Sequence, residues 1–231
     1  MKNVQLKPID ELEGSLSQRV YLSLQEAILT LKYPPGTVLR KGFICDQLGV
    51  SRSPVAEAIA RLSAEQLVDV IPQSATRVSG FSMEEIREAC FLREAIEVAA
   101  VGKVAEQRSE DQFRQLDRQV RMQKLMLEDG DLEGFYKADE TFHSLLSEFT
   151  GFPGVSKFAT TIELRLVRAR MLLLPEKGRV ADSVNEHSRI LEAIKNKDVL
   201  LAQHEMKRHL SQLMILIEPL ESIHPSYFRT K

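Results

Sequence analysis

Tryptophan is absent from this 231-residue chain, and only two cysteines, Cys45 and Cys90, occur in it. So few thiols exclude a disulfide framework as the source of stability and suit a reducing compartment. Eleven glycines and nine prolines are few for the length and argue against a turn-rich sandwich, so a helix-rich fold is expected. No apolar run approaches the length of a membrane span, and the opening stretch MKNVQLKPIDELEG lacks the apolar core of a signal peptide. A cytoplasmic protein with no membrane partner is therefore expected. Charge of one sign is lacking too: 31 Lys and Arg stand against 33 Asp and Glu, a net charge of −2. Any contact with nucleic acid must then come from a local patch. What is present is 43% apolar and 28% charged sequence, long enough for two ordinary domains.

Residues 1–14 read as a flexible arm. From Leu16 to Leu31, Val20, Leu24, Ala27, Ile28 and Leu31 form one helical stripe, which Pro34-Pro35-Gly36 ends. In the next short segment Ile44, Leu48 and Val50 are apolar and Gly49 suits a helix stop. In SRSPVAEAIARL, Ser53 is expected to cap a helix beginning at Pro54, with Val55, Ala58, Ile59 and Leu62 turned inward. Two short strands follow, 67–71 and 76–79, joined by a polar tip. Ser82-Met83-Glu84-Glu85 reads as a capping box and sets a boundary, giving domains 15–80 and 81–231. Beyond it the 3.6-residue period predicts helices near 83–105, 109–128, 131–149, 155–173, 180–195 and 198–217. The expected fold is mainly α: a winged helix-turn-helix with a two-stranded wing, then an all-α antiparallel bundle.

Two constellations carry chemistry. Gly49-Val50-Ser51-Arg52 joins two short helices in a tight turn, an arrangement that can set the second helix into a major groove. Ser51, Arg52 and Ser53 lie at its leading end. Arg52 suits a bidentate contact to guanine, and the hydroxyls and free N–H groups suit phosphates. Arg40, Lys41, Arg61 and Arg77 add local positive charge. The pattern alone leaves open a small helical cap with a surface arginine.

The second constellation is Asp139 and His143, four apart in KADETFHSLL, with His187 in NEHSRILEAI and His209 in MKRHLSQLMILI. A carboxylate and three imidazoles from three helices suit one divalent ion. Ordinary core or surface histidines remain the other reading. His204 falls on a different face from His209, and His224 lies in the tail before Pro225. Glu140 and Glu186 flank ligands and are expected to point away from a metal. Without a nucleophile motif or a paired base, a metal-dependent hydrolase is the weakest alternative and no enzyme is expected.

PPGTVL, LGVSRSPV, EAIARL and QLVDVIP, in this order over residues 17–80, resemble the N-terminal domain of the GntR family of bacterial transcription regulators. FLREAIEVAAVGKVAE, ADETFHSLL and NEHSRILEAIKNKDVLLAQHEMKRHL, over 83–217, resemble the FCD effector domain of its FadR subfamily, in the shorter six-helix, VanR-like form. The resemblance implies a homodimeric repressor on a palindromic operator, released by a small organic acid. It implies one divalent ion per chain, zinc or else nickel or manganese, on Asp139, His143, His187 and His209. It implies a carboxylate effector gripped by Arg93, with Arg165 and Arg168 as further candidates and Phe142 and Phe152 lining the pocket. A purely structural metal without an effector is the alternative. Ala56 replaces the usual arginine after Pro-Val, Ala75 replaces a wing glycine, and Lys41 and Gly42 stand at a variable contact position, which together imply a different operator sequence.

Overall fold

The computed structural model describes residues 5–71 and 75–229. They form two compact units, Met1–Met83 with Leu220–Lys231, and Glu84–Pro219.

The first unit holds α1 (Leu16–Leu29), α2 (Lys41–Leu48), α3 (Arg52–Ala64), β1 (Val68–Val70) and β2 (Thr76–Val78). Helix α1 starts where Ser15 accepts a hydrogen bond from the Gln18 N–H, and it buries Val20, Leu24, Ala27 and Ile28. Leu31 lies beyond its end with φ 58°, in the left-handed region. Helix α2 stops at Gly49, whose φ of 65° costs a residue without Cβ nothing and whose N–H reaches the Cys45 carbonyl. Helix α3 begins two residues before the expected start, with Ser51 at the N-cap and Pro54 third in the helix. First-turn N–H groups have no partner within a helix, so proline there loses no bond. Val55, Ala58, Ile59 and Leu62 are buried in one core with the α1 stripe. The strands pair antiparallel, Val68 opposite Val78 and Val70 opposite Thr76. The expected polar tip, at Pro72, Gln73 and Ser74, lies outside the described residues.

Two segments differ from expectation. Residues 5–14, expected as a flexible arm, are packed down. Leu6 is 3% exposed, the Ser23 hydroxyl donates to the Lys7 carbonyl at 2.7 Å, and Ile9–Glu11 form a 3-10 turn. Few apolar residues stand here, but Leu6 and Ile9 are enough to join the core around α1. The C-terminal tail, expected with the bundle, falls with the first unit. Phe228 packs on Phe81 with ring centroids 5.4 Å apart, the Phe81 N–H donates to the Tyr227 carbonyl, and the Arg229 N–H donates to the Phe81 carbonyl. Gly80 permits this approach, since a Cβ there would stand 3.2 Å from the Arg229 nitrogen and the Tyr227 oxygen.

The second unit is a helical bundle built from α4 (Met83–Gln107), α5 (Glu110–Asp129), α6 (Leu132–Glu148), α7 (Pro153–Leu173), α8 (Arg179–Lys195) and α9 (Val199–Ile223). Ser109 and Gln112 close a capping box on α5. Gly130 and Gly151 take left-handed φ of 69° and 73° at the breaks after α5 and α6. Val101, Leu116, Val120, Phe142, Leu146, Ile190, Ile194 and Met206 fill the core. Helix α9 runs through Pro219 to Ile223, past its expected end near 217. Among the described residues, no helix is long and apolar enough to cross a membrane.

The packing of the N-terminal segment has a measurable consequence. Leu6→Ala is expected to destabilise the protein by about 2–4 kcal/mol, as truncation of a buried leucine does. The readout is a lower urea midpoint at unchanged slope; a flexible arm would leave the midpoint where it was.

Candidate metal centre and nucleic-acid interface

The leading end of α3 is open to solvent. Ser51, Arg52 and Ser53 are all exposed, and Ser51 makes no side-chain cap bond, so first-turn N–H groups stay available to an anion. The Ser53 hydroxyl donates to Glu57 at 3.3 Å. Arg40 and Lys41 are exposed at the start of α2, and Arg77 is exposed on β2. Arg61 is placed differently, near the far end of α3. Its guanidinium lies 3.7 Å over the Tyr21 ring and pairs with Glu65 at 3.3 Å, so it braces α3 on α1. Ala56 is exposed one turn into α3, where it leaves a short, neutral surface.

In the bundle, three helices bring three histidines together. His143 on α6, His187 on α8 and His209 on α9 are all buried, with mutually close ring nitrogens suited to a metal ion. The Nε2 atoms of His187 and His209 are 3.1 Å apart, and those of His209 and His143 are 3.3 Å apart. Each outer nitrogen has an oxygen partner. His143 Nδ1 lies 2.5 Å from Glu97 Oε2, and His209 Nδ1 lies 2.7 Å from Glu186 Oε2. His187 Nδ1 lies 2.7 Å from Gln123 Oε1, and the Gln123 amide is oriented by donating its Nε2 hydrogen to the Ala138 carbonyl. An ionised carboxylate and an amide oxygen only accept, so each Nδ1 carries the proton and donates. The Nε2 atoms are left facing one another.

Burial reinforces this state. It pushes the imidazolium pKa of His187 and of His209 well below the ordinary value, and the neighbouring rings push it further. A proton on His187 or His209 is thus disfavoured, whereas a cation among the three rings would be held by all of them. Imidazole nitrogens bound at about 2.1 Å to one ion stand roughly 3.0–3.4 Å apart for coordination angles of roughly 90–109°. The two observed separations fall within that range, so the donor set fits a divalent metal.

Asp139, one turn before His143, is buried beside the cluster. Its Oδ1 lies 3.8 Å from His187 Nε2, and its Oδ2 faces the Arg170 guanidinium, which also pairs with Glu163. Glu186 stands behind His209 on its outer nitrogen, off the metal face, and pairs with Arg179 at 3.1 Å. Glu140 is exposed. Burial would raise the Glu97 carboxyl pKa, but the Arg93 guanidinium and His143 outweigh it and hold Glu97 ionised. Burial, then the neighbouring Arg93, lowers Arg170 to about 10, which leaves it charged at neutral pH.

A cavity of ≈ 50 Å³ adjoins this cluster, lined by Asp139 and His209 on one side and by Arg93, Arg170 and Arg179. Its apolar wall includes Phe135, Leu173, Leu210 and Leu213. Arg93 Nη2 is buried and has no hydrogen-bond partner among the described residues. Phe142 and Phe152 do not form the wall. Phe142 is fully buried against the His187 ring at 4.7 Å, and Phe152 is exposed under the Lys103 ammonium. Arg165 is exposed and pairs with Glu88 at 3.3 Å, and Arg168 is buried away from the cavity lining. Arg170 and Arg179 stand where those two were expected. Sequence reasoning also missed Glu97, Gln123 and Glu186 as partners of the imidazoles; the i,i+4 spacing of Arg93 and Glu97 was the one local signal for the first.

Residues 16–78 match the family model for bacterial regulatory proteins of the gntR family, and residues 88–212 match the FCD domain. An uncharacterised HTH-type transcriptional regulator in an unstable DNA locus of Streptomyces ambofaciens is 34% identical over 212 residues, 91% of this chain and 89% of that protein. The chain belongs to the GntR family, with an FCD domain. The HTH-type transcriptional repressor RspR of Escherichia coli K12 is 25% identical to this GntR-family chain over 92% of its length and 93% of the repressor's. The gluconate operon transcriptional repressor of Bacillus subtilis 168 is 24% identical over 90% and 87%. In fold, this GntR-family protein matches the E. coli McbR/YncC structure with a TM-score of 0.74 at 20% identity, covering 90% of this chain and 99% of that one. The winged helix-turn-helix unit is thus that of a DNA-binding transcription regulator.

Arg52→Ala is expected to weaken operator binding by about 1–3 kcal/mol and to relax preference at one base pair, as loss of a bidentate base contact does. Lys41→Ala is expected to weaken binding to all sequences alike. Gel shifts on operator and scrambled duplexes at fixed salt separate the two. An Arg52→Ala protein that is folded and binds its operator as tightly as the parent would displace the helix from the groove.

Proposed function

We propose that this GntR-family regulator is a repressor of the FadR subfamily, in its six-helix, VanR-like form. It acts as a homodimer on a palindromic operator and is released when a small organic acid binds beside a metal. DNA is read by Ser51, Arg52 and Ser53 and held through Arg40, Lys41 and Arg77. The metal, zinc or else nickel or manganese, is held by His143, His187 and His209 with Asp139 beside them. The observation that carries the reading is the convergence of three buried Nε2 lone pairs, each fixed from behind by a hydrogen bond on Nδ1.

A divalent ion at these nitrogens supplies positive charge and an open position for a carboxylate oxygen. The protein's own groups do the rest. Arg93 offers the unpartnered Nη2 to an anion, Arg170 and Arg179 add charge to the same wall, and Phe135, Leu173, Leu210 and Leu213 exclude water from the guest's apolar body. Direction of control follows the relatives, two of which are named as repressors. An anion seated between α4, α6, α7, α8 and α9 would bias their packing and so alter operator affinity.

Elemental analysis of the purified protein is expected to find about one divalent ion per chain. Chelation, His143→Ala or His209→Ala should lower the melting temperature, because an ion that binds only the folded state stabilises that state. A thermal-shift screen of carboxylates should then give hits that depend on both metal and Arg93 and that weaken operator binding. Hits that are neutral, or equally strong in the chelated protein, would leave a purely structural metal. A protein indifferent to metal would leave three core histidines.

A further inference from the structure

The three arginines of the cavity wall are each paired with a carboxylate that also touches the histidine cluster. Arg93 Nε donates to Glu97 Oε1 at 2.6 Å, and Glu97 Oε2 holds His143 Nδ1. Arg179 donates to Glu186 Oε2 at 3.1 Å, and the same oxygen holds His209 Nδ1. Arg170 pairs with Asp139, whose other oxygen faces His187 Nε2 at 3.8 Å. Resting on the reading above of metal and organic acid, we propose that Glu97 and Glu186 are positioning residues that couple the two guests, so that a divalent ion at the imidazoles and a singly charged anion at the arginines each tighten the other.

The coupling follows from shared acceptors. Each carboxylate divides its hydrogen-bonding capacity between an imidazole N–H and a guanidinium. An anion that draws Arg93 or Arg179 toward itself loosens that arginine's hold on its carboxylate. The carboxylate then accepts more strongly from Nδ1 and makes Nε2 a better donor to a cation. Taken the other way, an ion that polarises the imidazole strengthens the Nδ1–H bond and frees the arginine for the anion. The linkage is reciprocal by thermodynamic necessity.

Charge sets the class of anion. The cavity wall and the groups bonded to it hold Arg93, Arg170 and Arg179 against Asp139, Glu97, Glu163 and Glu186, and imidazoles bound to a metal add no charge. Three guanidinium groups and a divalent ion carry five positive charges against four negative ones, a surplus of one. A monocarboxylate cancels it. Without the metal the same groups carry a deficit of one, which disfavours any anion. A dicarboxylate would bury a second charge with no counterpart in a cavity of ≈ 50 Å³.

The test uses the full-length protein and measures Zn²⁺ affinity against a competing chelator, without and with acetate, gluconate or benzoate, and with succinate or neutral acetamide for comparison. In the wild type the best monocarboxylate is expected to tighten Zn²⁺ binding by about 5–150-fold, with an equal effect of Zn²⁺ on the anion. In Glu97→Gln, Zn²⁺ should still bind, weakened by about 10–100-fold, but the anion's effect on it should fall toward one. The visible spectrum of the Co²⁺-loaded wild type should shift with the monocarboxylate, and that of the variant should shift far less. Glu88→Gln is the control. Its carboxylate pairs with the exposed Arg165, outside the cavity wall and outside the charge count, and the coupling should persist.

Should Glu97→Gln not fold, Glu186→Gln carries the same test on the second chain, and the wild-type coupling factor needs no variant. A wild type that binds Zn²⁺ and a monocarboxylate with a coupling factor near one overturns the proposal alone. So does a Glu97→Gln protein with undiminished coupling, or stronger coupling by succinate or acetamide. A wild type that binds no divalent ion overturns the metal reading on which the proposal rests.

Discussion

Three buried imidazoles whose Nε2 atoms converge call for something positive among them. His187 is fully buried, its outer nitrogen is committed to Gln123, and burial disfavours the imidazolium that a shared proton would require. The same constraint accounts for the buried charge around the cluster. Glu97, Asp139 and Arg93 are buried charged groups beside it, in a unit whose core is otherwise largely apolar. Such groups are costly unless paired, and around the cluster the pairing is closely spaced: Glu97 with Arg93, Asp139 with Arg170, Glu186 with Arg179.

The bundle supplies rigidity for this arrangement. The imidazoles come from α6, α8 and α9, their hydrogen-bond acceptors from α4, α5 and α8, and the cavity arginines from α4, α7 and the first residue of α8. Nearly every helix therefore contributes one group within hydrogen-bond reach of another helix's group. Phe142, tilted against His187 and edge-on to His143, closes the apolar side. A guest that alters one link reaches several helices at once, which is the physical requirement for a sensor rather than a passive site.

Much of the architecture was legible from periodicity and turn chemistry. The bundle helices fall within a few residues of expectation because their apolar stripes are long and their breaks carry Gly130, Gly151 and Lys197 in left-handed geometry. Short-range signals misled where tertiary packing decides. Leu6 and Ile9 looked too sparse to pack, and Pro54 was taken as the first residue of a helix that begins at Arg52. Around the site, Asp139 and His143 were visible from their spacing, but Glu97, Gln123 and Glu186 meet the imidazoles only because separate helices cross there. Arg170 carried a signal that Arg165 and Arg168 outshone: it stands four residues after Leu166 and three before Leu173, both buried.

The central claim is that one divalent ion binds the three Nε2 atoms. X-ray absorption at the metal edge of the zinc-loaded protein in solution tests it most directly. The account predicts a first shell at about 2.0–2.1 Å with the multiple-scattering signature of three imidazoles plus oxygen, reduced to two imidazoles in His187→Ala. A shell of oxygens without imidazole scattering, or an identical spectrum in His187→Ala, would place the ion elsewhere and contradict the account.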